Sequence, residues 1–202
     1  MRRLTAALAG LAALAATPGA AQDTGLISIQ TYSEVTLFAP PPWSSAEHAA
    51  TASEVVRNQG PTGNGTDYFI LEFVPKGQSF EAWIELYALT AETPLEGSAR
   101  DYRDGMAASY QAACRDSALQ PILDEPARQI FLLFCTAYAG DPKVGEIAVM
   151  HYRKAGDVLI RNYYHKRGEA YALDAPDALP LSRDETAELI RHVAAMRQTR
   201  GE

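Results

Sequence analysis

The chain has 202 residues, 47% of them hydrophobic, with 18 Lys and Arg against 25 Asp and Glu and a formal net charge of −7. An acidic balance of this size excludes the concentrated positive potential on which binding to nucleic acids or anionic membranes rests. Two cysteines and four histidines exclude a dense disulfide framework and offer few metal ligands, and a chain this long can build a core without either.

The N-terminus reads as an export signal. Arg2 and Arg3 precede a small and apolar run from Leu4 to Ala16, and Thr17-Pro18-Gly19-Ala20-Ala21 leads to the first acidic residue, Asp23. This is the basic, apolar, small-residue layout of a secretory signal, and its apolar part is shorter than the roughly 20 residues a spanning helix needs. Cleavage is expected after Ala21, with Ala20 the near alternative. No cysteine stands at the exit site, so no lipid anchor is expected. The reading divides the chain into a cleaved signal, 1–21, and a single α+β domain, 22–202, placed in the periplasm or secreted. That portion carries 16 basic and 25 acidic residues, a net charge of −9, and has no segment apolar and long enough to cross a membrane.

In chain order, Gly25 to Phe38 reads as a strand or hairpin arm, with Ile27 and Ile29, then Val35 and Leu37, in period two. Pro40-Pro41-Pro42 ends it before Trp43. A short helix is expected around Ala46 to Val56, then a loose loop through Gly60-Pro61-Thr62-Gly63-Asn64-Gly65. Asp67 to Val74 is apolar on both sides, the mark of a strand covered twice. After Pro75-Lys76-Gly77, Ser79 reads as the cap of a helix whose stripe is Phe80, Trp83, Ile84 and Tyr87, ending before Pro94. A further helix spans about Ser98 to Ser117, with Tyr102, Met106, Ser109, Tyr110, Ala113 and Cys114 inward. Pro121 and Pro126 close it, and Gln129 to Tyr138 forms a strand. Glu146 to Lys154 and Asp157 to Lys166 pair around Ala155-Gly156, setting Lys154 opposite Asp157 and His151 opposite Ile160. Ser182 and Glu185 form a capping box for a last helix packed through Leu189, Ile190, Val193 and Met196. These elements predict an antiparallel sheet of at least four strands with helices packed on both faces.

An exported chain with two cysteines points to a Cys114–Cys135 disulfide closing a loop of about 20 residues and contributing roughly 3 kcal/mol. The order of a strand, Pro75-Lys76-Gly77, a Trp83-bearing helix, a second helix and an antiparallel hairpin resembles the PsbP-like fold over about half of the chain. The resemblance is strongest from Tyr68 to Thr90. It implies an αβα sandwich, as in small exported or lumenal proteins that mostly serve as binding or assembly factors, and it carries no catalytic signature.

No H-x-x-x-H pair, G-x-S-x-G elbow, G-x-G-x-x-G or P-loop occurs, so no metal, cofactor or catalytic residue is assigned. Tyr152, Tyr163 and Tyr164 with Arg153 and Arg161 form a candidate binding surface, since tyrosine and arginine offer contact area with a polar end. The same residues also suit the half-buried face of a sheet. Trp43, after the rigid proline run, is a further candidate. The function expected is a non-catalytic periplasmic binding or accessory factor whose partner is a protein or a small apolar ligand of the cell envelope. The alternatives are a carrier of a small apolar ligand, or a hydrolase or thiol enzyme using Cys114 or Cys135 with His151.

Overall fold

Apolar runs at period two dominate the sequence, and they pair into two antiparallel sheets. The computed structural model describes residues 25–32, 34–175 and 178–200; the expected signal, 1–21, lies outside the described residues. The elements are β1 (Ile27–Thr31), β2 (Glu34–Phe38), β3 (Ser53–Pro61), β4 (Asp67–Pro75), β5 (Glu85–Thr93), α1 (Ala99–Ala113), β6 (Ser117–Glu125), β7 (Arg128–Cys135), β8 (Val144–Ala155), β9 (Val158–Glu169), α2 (Arg183–Ala194) and β10 (Arg197–Arg200). A three-strand sheet has the order β1-β2-β10, and a seven-strand sheet the order β3-β4-β5-β9-β8-β7-β6. The architecture is α+β.

Three expectations for the first half of the chain are corrected. The region 46–56 is not a helix: turns run through 46–51 and β3 begins at Ser53. The glycine-rich segment is not all loop, since Gly60 and Pro61 belong to β3 and the turn that follows is closed by Thr62 N–H donating to Thr66 O at 2.6 Å, with the two threonine hydroxyls 2.7 Å apart. The stripe Phe80, Trp83, Ile84, Tyr87 does not form a helix either, because Glu85 to Thr93 is the strand β5, with Trp83 in the segment leading into it. Leu86 through Ala91 are all buried, as the residues of a strand with neighbours on both edges can be. Exposing one large apolar side chain forfeits roughly 1.5–3 kcal/mol, against helix-propensity differences of at most about 0.7 kcal/mol per residue, so pairing decides. The helix on which part of the PsbP-like resemblance rested is therefore absent.

In the second half, Ser98 caps α1 and Asp101 completes a reciprocal capping box. The inner side of α1 is Ala99, Arg103 and Tyr110, with Cys114 beyond and Tyr102 and Met106 half-buried against the same cluster as expected, while Ser109 and Ala113 are exposed. Pro121 and Pro126 do not simply end the helix. Pro121 lies within β6, an edge strand whose register shifts between Pro121 and Leu123, the setting in which a sheet tolerates proline. The β8–β9 turn is Gly156-Asp157, with Gly156 at φ +58°, and His151 faces Asn162, not Ile160. That is a slip of two residues, which leaves every side chain on its expected face. Ser182 and Glu185 cap α2 as expected. β10, unforeseen, pairs with β2.

The core divides along strand alternation. Phe69, Leu71, Tyr87, Leu89, Leu132, Val149 and Tyr164 pack with Leu189 and Val193 of α2 and with Phe38 of β2. Phe131, Leu133, Met150, Tyr152 and Leu159 pack with Tyr110 and Cys114 at the inner side of α1. Cys114 and Cys135 are disulfide-bonded with Cα atoms 5.5 Å apart, which ties the end of α1 to β7.

Candidate functional site

Helix α1 packs chiefly on β6, β7 and β8 and reaches β9 at Leu159 and Tyr163; among the described residues no helix packs closely on the same face of β4 and β5 or on the rest of that face of β9. The register sets the side chains on that floor in rows. Ile70, Thr90, Arg161 and Tyr152 form one; Glu72, Ala88, Tyr163 and Met150 form the next; Leu86, His165 and Ala148 form a third. With Met106 on the helix side, Thr62 at the β3–β4 turn and Trp83 before β5, the larger side chains of these rows line an open groove of about 480 Å³. Trp83 closes one end because it packs with Phe80 over Val74, Leu86 and Ala88.

The charges in this groove are few and specifically placed. Arg161 donates from Nη2 to Glu92 Oε2 at 2.9 Å and from Nε to Thr90 Oγ1 at 3.1 Å. Glu72 accepts a long hydrogen bond of 3.4 Å from the Tyr163 hydroxyl. Burial raises the Glu72 carboxyl above its ordinary range, opposed by the Tyr163 bond and by the proximity of His165. Tyr152 is fully enclosed, and burial pushes its hydroxyl up to about 12.

Beyond Trp83 lies a polar cluster centred on Glu146, 2% exposed. Its carboxylate accepts from Tyr110 of α1, from Tyr138 after β7, from His165 Nδ1 at 2.8 Å and from Arg167 Nε at 3.3 Å. Burial pulls this carboxyl up, but the His165 imidazole and the donated hydrogen bonds outweigh it and hold the group down at about 2. The Arg167 guanidinium lies 3.6 Å over the Trp83 ring, a cation–π contact, and His165 meets Trp83 edge-on. The cluster thus joins the helix, the sheet and the groove wall. Its carboxylate and imidazole are oriented like a base and its orienter, but no hydroxyl or thiol nucleophile is hydrogen-bonded to His165 Nε2 among the described residues. Nor does any group of three His, Cys, Asp or Glu side chains converge among them as a metal site would require.

The residues expected to form one binding surface fall on two. Tyr152, Arg161 and Tyr163 meet in the groove. Tyr164 and Arg153 belong to the alternate face, where Tyr164 is buried and its hydroxyl donates to Glu85 Oε2 at 2.9 Å. Trp43 is half-buried, donates from Nε1 to Ser53 Oγ at 3.0 Å, and shares with Tyr164 a second cleft of about 390 Å³ bordered by Glu185, Glu188 and His192. The thiol–imidazole alternative loses its atoms: both sulfurs are in the disulfide, and His151 is fully buried, with Nδ1 donating to Val193 O at 2.9 Å and Nε2 accepting from Arg128 at 3.1 Å.

Sequence reasoning missed Glu72, Glu92, Trp83, His165 and the Glu146 cluster. One signal was present: Arg161, Tyr163, His165 and Arg167 alternate along a strand, so they share a face. No described helix is long and apolar enough to cross a membrane. The sequence matches no protein-family model and has no significant match among curated proteins.

Proposed function

We propose that the chain is an exported, non-catalytic binding or accessory factor of the cell envelope, and that the groove between α1 and the β4–β5–β9 floor is its ligand seat. The observation that carries this reading is a half-face of a seven-strand sheet over which no helix packs closely among the described residues, where aromatic and apolar side chains surround only a few polar groups, the usual composition of a small-molecule site. The groove's volume favours a small, largely apolar ligand over an extended polypeptide. Localisation outside the cytoplasm rests on the N-terminal sequence and is supported by the disulfide.

We further read the architecture as an αβα sandwich of PsbP-like type with helices on both faces. The support is alternation: α1 shares its cluster with Phe131, Leu133 and Met150, and α2 shares its own with Leu132 and Val149, the intervening residues of the same strands.

Native mass spectrometry of the protein, isolated gently from its own compartment, tests the function. The expected result is a discrete added mass on the wild type that is lost from a Met106→Trp variant, whose larger side chain fills the groove. A bare protein in both preparations would count against a tightly held ligand.

A further inference from the structure

The groove's charge balance points to the kind of ligand it would take, an inference that rests on the groove being the ligand seat. Two carboxylates, Glu72 and Glu92, and one guanidinium, Arg161, line it. Arg161 is already committed to Glu92 and Thr90. Glu72 forms no salt bridge among the described residues, and its one hydrogen bond there is the 3.4 Å contact from Tyr163. The basic residues of the neighbouring edge strand and its turn are engaged elsewhere: Lys76 pairs with Glu54 at 2.8 Å, and Arg57 lies over the Phe69 ring on the other face of the sheet. His165, a further titratable neighbour, is held through Nδ1 by Glu146.

Around this half-buried carboxylate, which forms no salt bridge among the described residues, stand the rings of Tyr68, Tyr163 and Trp83 and the thioethers of Met106 and Met150. Aromatic rings present electron-rich faces that attract cations, and thioethers are polarisable. An anionic ligand would meet the excess carboxylate. A neutral one would leave Glu72 without a counter-charge in a partly desolvated site. A cation with an apolar tail satisfies both walls and carboxylate.

We propose that the groove is a binding site for a small organic cation, an alkyl- or arylammonium, with Glu72 as its counter-charge and Tyr163, Tyr68 and Trp83 as its aromatic wall. The test uses a Trp43→Phe background, which leaves Trp83 as the sole tryptophan and reporter. Three probes of one skeleton are titrated, 2-phenylethylammonium, 2-phenylethanol and phenylacetate, with calorimetry on the wild type in parallel. The expected order is ammonium about ten-fold tighter than alcohol, with the carboxylate weakest. Glu72→Gln should bring the ammonium to the level of the alcohol. Ile70→Lys, which supplies an internal ammonium on the same face of β4, should weaken the ammonium probe in the same way without removing the carboxylate. Equal binding of ammonium and alcohol to the wild type, or a preference that survives both substitutions, would overturn the cation assignment and leave the groove standing as a seat for neutral ligands. No binding by any of the three, with no change at Trp83, would overturn the groove as a ligand seat and this inference with it.

Discussion

Glu146 and Glu72 project from the same face of one sheet, and burial works against the charge of both, yet the outcomes are opposite. Glu146 receives hydrogen bonds from two tyrosines, an imidazole and a guanidinium, and its carboxyl is held at about 2. Glu72 meets one distant hydroxyl, and burial leaves its carboxyl raised. The difference lies in the supply of donors, which follows from cover. Where α1 lies on the sheet, it contributes Tyr110 and brings the segment after β7 close. Where no helix among the described residues covers the floor, Glu72 has fewer donors around it. The covered half satisfies its buried carboxylate internally, whereas the open half leaves one without a salt bridge among the described residues.

The sharpest way to break this comparison is to remove the carboxylate from the covered half. Glu146→Ala strands four donors, and urea unfolding should register a loss of about 3–5 kcal/mol; a loss under 1 kcal/mol would mean that water readily replaces the carboxylate. Replacing Cys114 and Cys135 together by alanine opens a loop spanning 21 residues in sequence and should cost about 3 kcal/mol in the same assay.

A third prediction concerns pH. Burial holds the His151 imidazole neutral, with its folded pKa lowered from 6.5 to about 4, chiefly by desolvation and further by Arg128 and Arg153. The unfolded chain therefore binds this proton first. The His151 contribution is fully present above 6.5 and is lost as pH falls towards 4, amounting to roughly 2 kcal/mol between pH 7 and pH 5. His192, also lowered by burial, acts in the same direction. The Glu146 contribution is fully present above 4.5 and disappears only as pH falls towards 2, so the two windows separate. Denaturation midpoints measured from pH 7 to 5 should fall steeply in the wild type and less steeply in His151→Gln; parallel slopes would place the titration elsewhere. The smallest effect belongs to the open half. Glu72→Gln relieves a carboxylate that burial disfavours, so it should shift stability by no more than about 0.5 kcal/mol, towards greater stability. A large loss would assign Glu72 a structural role and weaken the contrast with Glu146.

What was legible in the sequence follows the same physics. Strands with apolar residues on both faces, such as β4 and β7, announced themselves, as did both capped helices and the disulfide. β3 did not, because most of its side chains are exposed and an edge strand needs little apolar content. β5 was misread because an unbroken apolar run fits helical and extended periods alike. Phe80, Trp83, Ile84 and Tyr87 happened to fall at helical spacing, and only pairing with β4 and β9 decides between the two. β6 hid behind Pro121. At the site, Tyr152, Arg161 and Tyr163 were found because they cluster in number. Glu146, Tyr110, Tyr138 and His165 come from separate elements, each unremarkable alone, and no local pattern joins them. Glu72 is a single acid in an apolar strand, and its isolation becomes visible only once its neighbours across the sheet are known.

The small sheet has a kinetic consequence. β10 joins β2 across 164 residues at the Thr199–Val35 contact, whereas the hairpins β3–β4, β6–β7 and β8–β9 close over short turns. Loop closure over such a distance precedes any gain from the contact, so these hairpins can zip early while the β2–β10 seam waits for nearly all of the described chain to be in place. In a refolding experiment followed by pulsed hydrogen exchange, amides of β8 and β9 should gain protection first and those of β10 last.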